Sequence, residues 1–369
     1  MNVITVCLSL DLGGLELYAL RSACMLAKNH NVTAVVSEGT RLAEKFEDSA
    51  IETINLQSRF KPLPVPGARK LARLIDSLEI HAVHMHWGKD LPLVSFARKY
   101  SRRKPVIVYT RQMQITRHKK DFYHQMQYRE VDLILCITRA LAEDYRRFLE
   151  PEHRSKVHTL YYGVAAPDHL LSDVERDSAR RELGLEHNDF LVGSIGRLEK
   201  QKGQHLLIEA ISEARRGGCP VQALIVGHEM SAGYRDELKS LARSLGLEHQ
   251  VMFKDFVSNP QQLMQVCDCV ALTTYEETFG LVLPEAMRAG VCVIGSNRGG
   301  VPEIIDDNET GLLFDSEDAK DLARQIVRLC NDINLVKKLA AQGKRKADRL
   351  FNTETHEMQL GRFFQDAVG

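Results

Sequence analysis

Short apolar runs alternate with amphipathic stretches along the whole chain. In the first half the runs fall at residues 3–8, 32–36, 81–86, 106–109 and 133–137. In the second half they fall at 191–195, 223–226, 251–253, 269–272 and 292–294. Helical spacing fills the intervals, as at 15–27 and 204–215. Strands that are apolar at successive positions are buried on both faces, which predicts parallel sheets covered by helices. The same alternation in both halves predicts an α/β chain of two doubly wound domains. The boundary is expected near 163–173, where Tyr161-Tyr162-Gly163-Val164 leaves a strand and a polar segment precedes the run beginning at Phe190. Beyond Asp315 the pattern is helical only. The expected segments are therefore 1–165, 166–350 and a last helix, 351–369, with Phe351, Met358, Leu360, Phe363 and Phe364 spaced along one side.

Composition narrows the class. A length of 369 residues suits two domains of ordinary size. With 44% hydrophobic and 27% charged residues, the chain reads as a soluble globular enzyme and not as a disordered or fibrous one. A formal net charge of zero supplies no global field for nucleic acid, and a single Trp leaves no interleaving of aromatic and basic residues to stack bases. No apolar run is long enough to span a bilayer. The first residues run straight into a buried strand, with no basic leader. The eight cysteines are scattered and read as reduced core residues of a cytoplasmic protein. Cys267 and Cys269, the only close pair, are expected to point in skewed directions. His84 and His86 flank Met85 at a strand end and are expected on different faces, without a third ligand. No Asp-x-Asp pair is present to hold a divalent cation, so no metal and no other cofactor is expected.

Three stretches carry candidate chemistry. Gly196-Arg197-Leu198-Glu199-Lys200-Gln201-Lys202-Gly203 places two cations about a strand-to-helix turn, where free amides and the helix dipole also favour anions. Glu277-Thr278-Phe279-Gly280-Leu281-Val282-Leu283-Pro284-Glu285 separates two carboxylates by a glycine turn and a helix start that Gly290 closes. Gly13-Gly14-Leu15-Glu16 follows the first strand but lacks the third glycine of a dinucleotide fingerprint. Taken singly, each reads as well as an ordinary solvated helix start, a carboxylate complementing a dipole, or a tight turn.

Taken together, the three stretches resemble the sugar-nucleotide site of retaining glycosyltransferases of family 4, with the GT-B fold. The resemblance covers nearly the whole chain and is strongest at about 190–315. It implies two Rossmann-like domains facing across a cleft, with the first binding the acceptor, the second binding the donor, and the last helix crossing back to the first. It assigns Arg197 and Lys202 to the diphosphate and Glu277 to the donor sugar beside the reacting carbon, and these three form the expected catalytic set. Donor binding is assigned to Glu285 on the ribose, to Gly196, Phe279, Gly280, Leu281 and Val282 around the phosphates, to Lys254 near the base, and to Gly13, Gly14 and Gln112 from the first domain. Glu16, Arg111 and His118 fall on the acceptor side. The loop 297–303 is expected to pack behind Glu285.

The chain departs from the family at three points, one of them Asp255, where the family more often has glycine. Gln112 stands where a histidine is usual; glutamine offers hydrogen bonds but no proton or charge. Either Gln112 binds the sugar neutrally, or His118 replaces the histidine, or activity is reduced; the first is preferred. Tyr162 stands where asparagine usually precedes Gly163.

The first domain is locally basic, with Arg98, Lys99, Arg102, Arg103, Lys104, Arg111, Arg117, Lys119 and Lys120 between residues 98 and 156. This asymmetry suits an anionic acceptor or an anionic membrane surface, with a solvated face as the plain alternative. The resemblance implies as partners a nucleotide-sugar donor and a glycan or lipid-linked acceptor of the bacterial lipopolysaccharide kind; the basic stretch adds an anionic membrane surface at the inner face as an expectation, and no nucleic acid is expected. A non-catalytic sugar-nucleotide sensor and another enzyme on this fold, such as a nucleotide-sugar epimerase, remain as alternatives.

Overall fold

The computed structural model describes residues 1–57, 64–114, 121–186, 188–230 and 232–369, with the backbone only at Phe148. The chain divides into two units. The first comprises Met1–Tyr161 with Glu354–Gly369, and the second Tyr162–Thr353.

In the first unit the strands are β1 (Asn2–Cys7), β2 (Asn31–Val36), β3 (Glu52–Asn55), β4 (Ala82–Met85), β5 (Val106–Arg111), β6 (Leu133–Cys136) and β7 (Val157–Thr159). They pair in parallel in the order β3-β2-β1-β4-β5-β6-β7. The second unit contains β8 (Phe190–Ile195), β9 (Val221–Val226), β10 (Val251–Lys254), β11 (Cys269–Leu272), β12 (Cys292–Ser296) and β13 (Leu312–Phe314), again parallel, in the order β10-β9-β8-β11-β12-β13. All ten apolar runs form strands. The three strands absent from the sequence reading, β3, β7 and β13, all lie at sheet edges.

Both sheets follow the doubly wound order, in which successive crossovers run first one way and then the other from a central strand. The direction reverses between β1 and β4 and between β8 and β11. At such points the loops leaving the carboxyl ends of two neighbouring strands part and leave a crevice for a ligand.

Each unit has its own core. In the second, Val192, Ile208, Ile211, Ala223, Ile225, Ile294 and Ile326 are fully buried in one cluster. In the first, Val3, Ala19, Ala34, Leu42, Val108 and Leu135 are joined by Leu360 and Phe364 from the helix Thr353–Val368. That helix is also held by polar contacts. His356 Nδ1 donates to the carbonyl of Tyr161 at 2.6 Å, which leaves Nε2 to accept from the Tyr18 hydroxyl at 3.0 Å.

The expectation for His84 and His86 is corrected. Positions two apart on a strand share a face, and the rings lie 4.1 Å apart, centroid to centroid. His84 Nε2 is 2.7 Å from Thr110 Oγ1, and its ring meets Phe364 edge-on. His86 is buried with neither ring nitrogen hydrogen-bonded. Burial pushes His86 down to about 3 and His356 to about 4, and holds His84 well below the ordinary histidine range.

Candidate functional site

In the second unit, the loops leaving β8 and β11 flank the reversal point. After β8 the backbone is fixed at Leu198, whose N–H donates to the His228 carbonyl at 2.8 Å and whose carbonyl accepts from Met230 at 3.2 Å. Arg197 is presented from this segment, half exposed, with its guanidinium 3.1 Å from Glu199. A short 3-10 turn, Lys200–Lys202, follows and delivers the chain to the helix Gln204–Arg216 through Gly203. Gly203 adopts φ 68°, and a Cβ there would lie 2.3 Å from the carbonyl oxygen of Thr273. Only glycine allows the two loops this approach.

The β11 loop is tied to the β8 loop at three places. Thr273 Oγ1 donates to the Lys202 carbonyl at 2.8 Å, the Tyr275 amide donates to the Gln201 carbonyl at 3.4 Å, and Lys202 Nζ lies 2.6 Å from Glu277 Oε2. Thus Lys202 and Glu277, assigned by the resemblance to different parts of one donor, are in direct contact. The Glu277 carbonyl accepts from the Gly300 amide at 2.8 Å, and Gly299 packs so closely that a Cβ would fall 2.2 Å from that carbonyl oxygen. The 297–303 loop therefore supports Glu277; it was expected behind Glu285.

Gly280, in a left-handed turn at φ 85°, leads through Leu281 into the helix Val282–Arg288. Glu285 lies in its first turn, half-buried, and Gly290 follows its end with φ 76°. Phe279 is corrected: its ring is buried edge-on between Tyr162 at 5.2 Å and Phe351 at 5.8 Å. Its side chain is core packing, which leaves only its backbone to face a ligand. Tyr162 is the other half of that packing.

Lys254 ends the edge strand β10, and its carbonyl accepts from Gly227. With Phe256 it lines a groove of about 760 Å³ that also includes Leu171, Glu175 and Leu263. Phe256 is exposed, with its ring edge-on to His228 at 5.9 Å, while Asp255 pairs with Arg235 at 2.6 Å.

In the first unit, Gly13 and Gly14 turn the chain into the helix Gly14–Ala27. Glu16 is buried and reaches back to accept the Gly13 amide at 2.8 Å, so its carboxylate is occupied in closing its own turn. Across the β1/β4 reversal point, Asp90 accepts the Leu8 amide at 2.8 Å. Gln112 is buried just beyond β5. Arg111 donates to the Tyr109 hydroxyl and the Gln114 carbonyl, each at 2.9 Å, and lies over the Tyr145 ring. Burial opposes its charge, but the surrounding tyrosines outweigh that and keep it firmly protonated. His118 lies outside the described residues, as do Arg117, Lys119 and Lys120.

The basic stretch is also less free than its sequence implies. Arg98 pairs with Asp132 at 2.9 Å, Lys99 with Glu130 at 3.4 Å and Arg103 with Glu79 at 3.2 Å. Lys104 Nζ caps the helix Leu91–Tyr100 by donating to the carbonyls of Arg98 and Lys99. Among the described residues, no helix is long and apolar enough to cross a membrane.

Sequence reasoning assigned no role to Glu199 or Thr273, which contact Arg197 and the Lys202 backbone. Their only signal is adjacency to the named side chains in the loops.

Two family models match the chain: Glycosyltransferase Family 4 over residues 12–166 and Glycosyl transferases group 1 over residues 175–346. A D-inositol 3-phosphate glycosyltransferase of Rhodococcus erythropolis is 35% identical over 201 residues, which are 53% of this chain and 45% of the relative. The chain thus matches less than half the length of that relative. A protein of the same name from Corynebacterium aurimucosum is 27% identical over 364 residues, 87% of this chain and 84% of the relative. Among solved structures, Anabaena Alr3699/HepE in complex with UDP superposes with a TM-score of 0.84 at 22% identity, over 99% of this chain and 100% of that one. The chain belongs to the GT-B glycosyltransferases, with a first unit of the family 4 type and a second of the group 1 type.

Proposed function

We propose that the chain transfers a sugar from a nucleotide-sugar donor to an acceptor hydroxyl, with retention of configuration and without a metal. The observation that carries this reading is the contact of Lys202 with Glu277 at the β8/β11 reversal point, with Arg197 on the adjoining turn. The bond from the anomeric carbon to the leaving phosphate breaks as the acceptor oxygen bonds to that carbon from the same face, and a phosphate oxygen takes the acceptor's proton. The departing diphosphate gains charge, so Arg197 and Lys202 stabilise the transition state more than the bound donor. Gly196 and the amides of Gly280, Leu281 and Val282 border the phosphates. Glu285 takes the ribose hydroxyls, Glu277 the sugar hydroxyls, and Lys254 lies beside the base. In this reading Gly13, Gly14 and Gln112 are the donor-binding residues of the first unit. Glu16 and Arg111 serve the acceptor side by holding their loops, since both are engaged within the unit.

The acceptor in this reading is a glycan or lipid-linked saccharide of a bacterial surface polymer such as lipopolysaccharide, used at the cytoplasmic membrane face. A phosphorylated polyol is a second reading, favoured by the names of the inositol-phosphate relatives.

Thermal unfolding with UDP-, GDP- and ADP-sugars tests the donor assignment, because a ligand bound to the native state raises Tm by mass action. HepE was solved with UDP and with UDP-glucose, which puts UDP-sugars first in that screen. No shift with any sugar nucleotide would overturn the reading. Hydrolysis of the stabilising donor without acceptor separates an enzyme from a sensor.

A further inference from the structure

The first residue of the helix Gln204–Arg216 carries an amide side chain that is 2% exposed. Its Nε2 donates to the Arg197 carbonyl at 2.8 Å, seven residues back. The chemistry fixes the orientation of the amide, since a carbonyl can only accept. Gln204 Oε1 is buried without a hydrogen-bond partner. A methionine would fill the same space without the unpaired Oε1 but would leave the Arg197 carbonyl without this donor, so the donor is what the glutamine adds.

The Arg197 carbonyl takes its hydrogen bond from a side chain. On either side the backbone is already paired, with the Gly196 amide on the Val226 carbonyl at 2.9 Å and Leu198 bridged to the β9 loop. The peptide plane after Arg197 is held at both ends, by the Leu198 N–H on the His228 carbonyl and by Gln204 Nε2 on the Arg197 carbonyl. That plane determines where the Cα–Cβ bond of Arg197 points. The same helix start receives Gly203 against the Thr273 carbonyl, so Gln204 is anchored to the Glu277-bearing loop as well.

We propose that Gln204 is a positioning residue that aims Arg197 at the donor diphosphate. The inference rests on the site reading given above. Gln204 touches no reacting atom; it acts through the Arg197 backbone.

The experiment uses the full chain and whichever of UDP, GDP or ADP raises Tm most, with binding measured by calorimetry and turnover measured on the matching donor. Q204M keeps the shape and removes the donor. It is expected to weaken nucleotide binding about fivefold, the size of one ordinary hydrogen bond. Q204L, which also presents no donor and adds no charge, gives a similar loss and serves if Q204M fails to fold. Q204H, which keeps an N–H at similar reach, restores binding. In an R197A background, Q204M should have no further effect, because its only route is already gone. An additive Q204M effect in that background, or wild-type binding by Q204M while R197A is impaired, would overturn the inference and leave the site reading standing. Wild-type binding by R197A itself, or no nucleotide bound at all, would overturn the site reading and the inference with it.

Discussion

Lys202 Nζ sits 2.6 Å from Glu277 Oε2, and each side chain is only about one-fifth exposed. The two residues belong to loops that leave neighbouring strands, so the contact ties those loops together. It also places a cation where a diphosphate is expected and a carboxylate where sugar hydroxyls are expected, held together before any donor arrives. K202A should therefore do two things, removing charge from the leaving group and leaving Glu277 unpaired. Loss of one preorganised charge typically lowers turnover about a hundredfold or more, and R197A should do likewise. Steady-state rates on a proven donor check this; wild-type rates in both variants would refute the assignment.

The two carboxylates should separate by ligand. Glu285→Gln is expected to weaken binding of the bare nucleoside diphosphate, because an amide cannot accept from two ribose hydroxyls with both atoms. Glu277→Gln should reduce turnover while leaving diphosphate binding close to wild type, since the diphosphate has no sugar to contact. Calorimetry with the diphosphate alone makes the comparison, and equal losses would show that the roles are not divided in this way.

Gly203→Ala should damage both loops together. Its left-handed backbone strains any side chain, and the Thr273 carbonyl blocks the Cβ. A loss of about 2 kcal/mol or more is expected in denaturant unfolding. An unchanged midpoint would mean that the two loops part easily.

Acid should destabilise the first unit. His84, His86 and His356 are buried and neutral, with folded pKa values below the ordinary histidine value. As pH falls below about 6.5 the unfolded chain takes up protons that the folded chain refuses, so stability drops. The drop continues until the folded values are reached, near 4 for His356 and 3 for His86. Each group steepens the decline by about 1 kcal/mol per pH unit. Tm measured from pH 7 to pH 4 should fall less steeply in His86→Leu than in the wild type, and parallel curves would count against the burial argument.

Chelation should not change turnover, because Arg197 and Lys202 supply the positive charge that a metal gives elsewhere. A rate abolished by EDTA and restored by magnesium or manganese would contradict this.

Much of the fold was legible because buried parallel strands are largely apolar, and all ten such runs became strands, the edge strand β10 among them. The edge strands β3, β7 and β13 escaped for the opposite reason. Glu52-Thr53-Ile54-Asn55 of β3 has polar ends and only half-buried middle positions, and β7 and β13 have three residues each. At the site, the spacing of Arg197, Lys202, Glu277 and Glu285 marked the loops, but not the contact between Lys202 and Glu277. Nor did it show that Phe279 turns inward or that Glu16 closes its own turn. Side-chain direction within a loop depends on partners distant in sequence, such as Thr273 for Lys202 and Tyr162 and Phe351 for Phe279, and spacing alone cannot specify these.

The first unit is built from both sides of the second, since Leu360 and Phe364 enter its core only after residues 162–353 have been passed. All of the second unit is therefore synthesised before the first unit has its complete core. The earlier-made half of the first unit must wait, with the sites for those two side chains unfilled, until the last helix emerges. Shortening the chain by that one helix should strand the opening 161 residues as a chaperone client, while the later-made unit still folds.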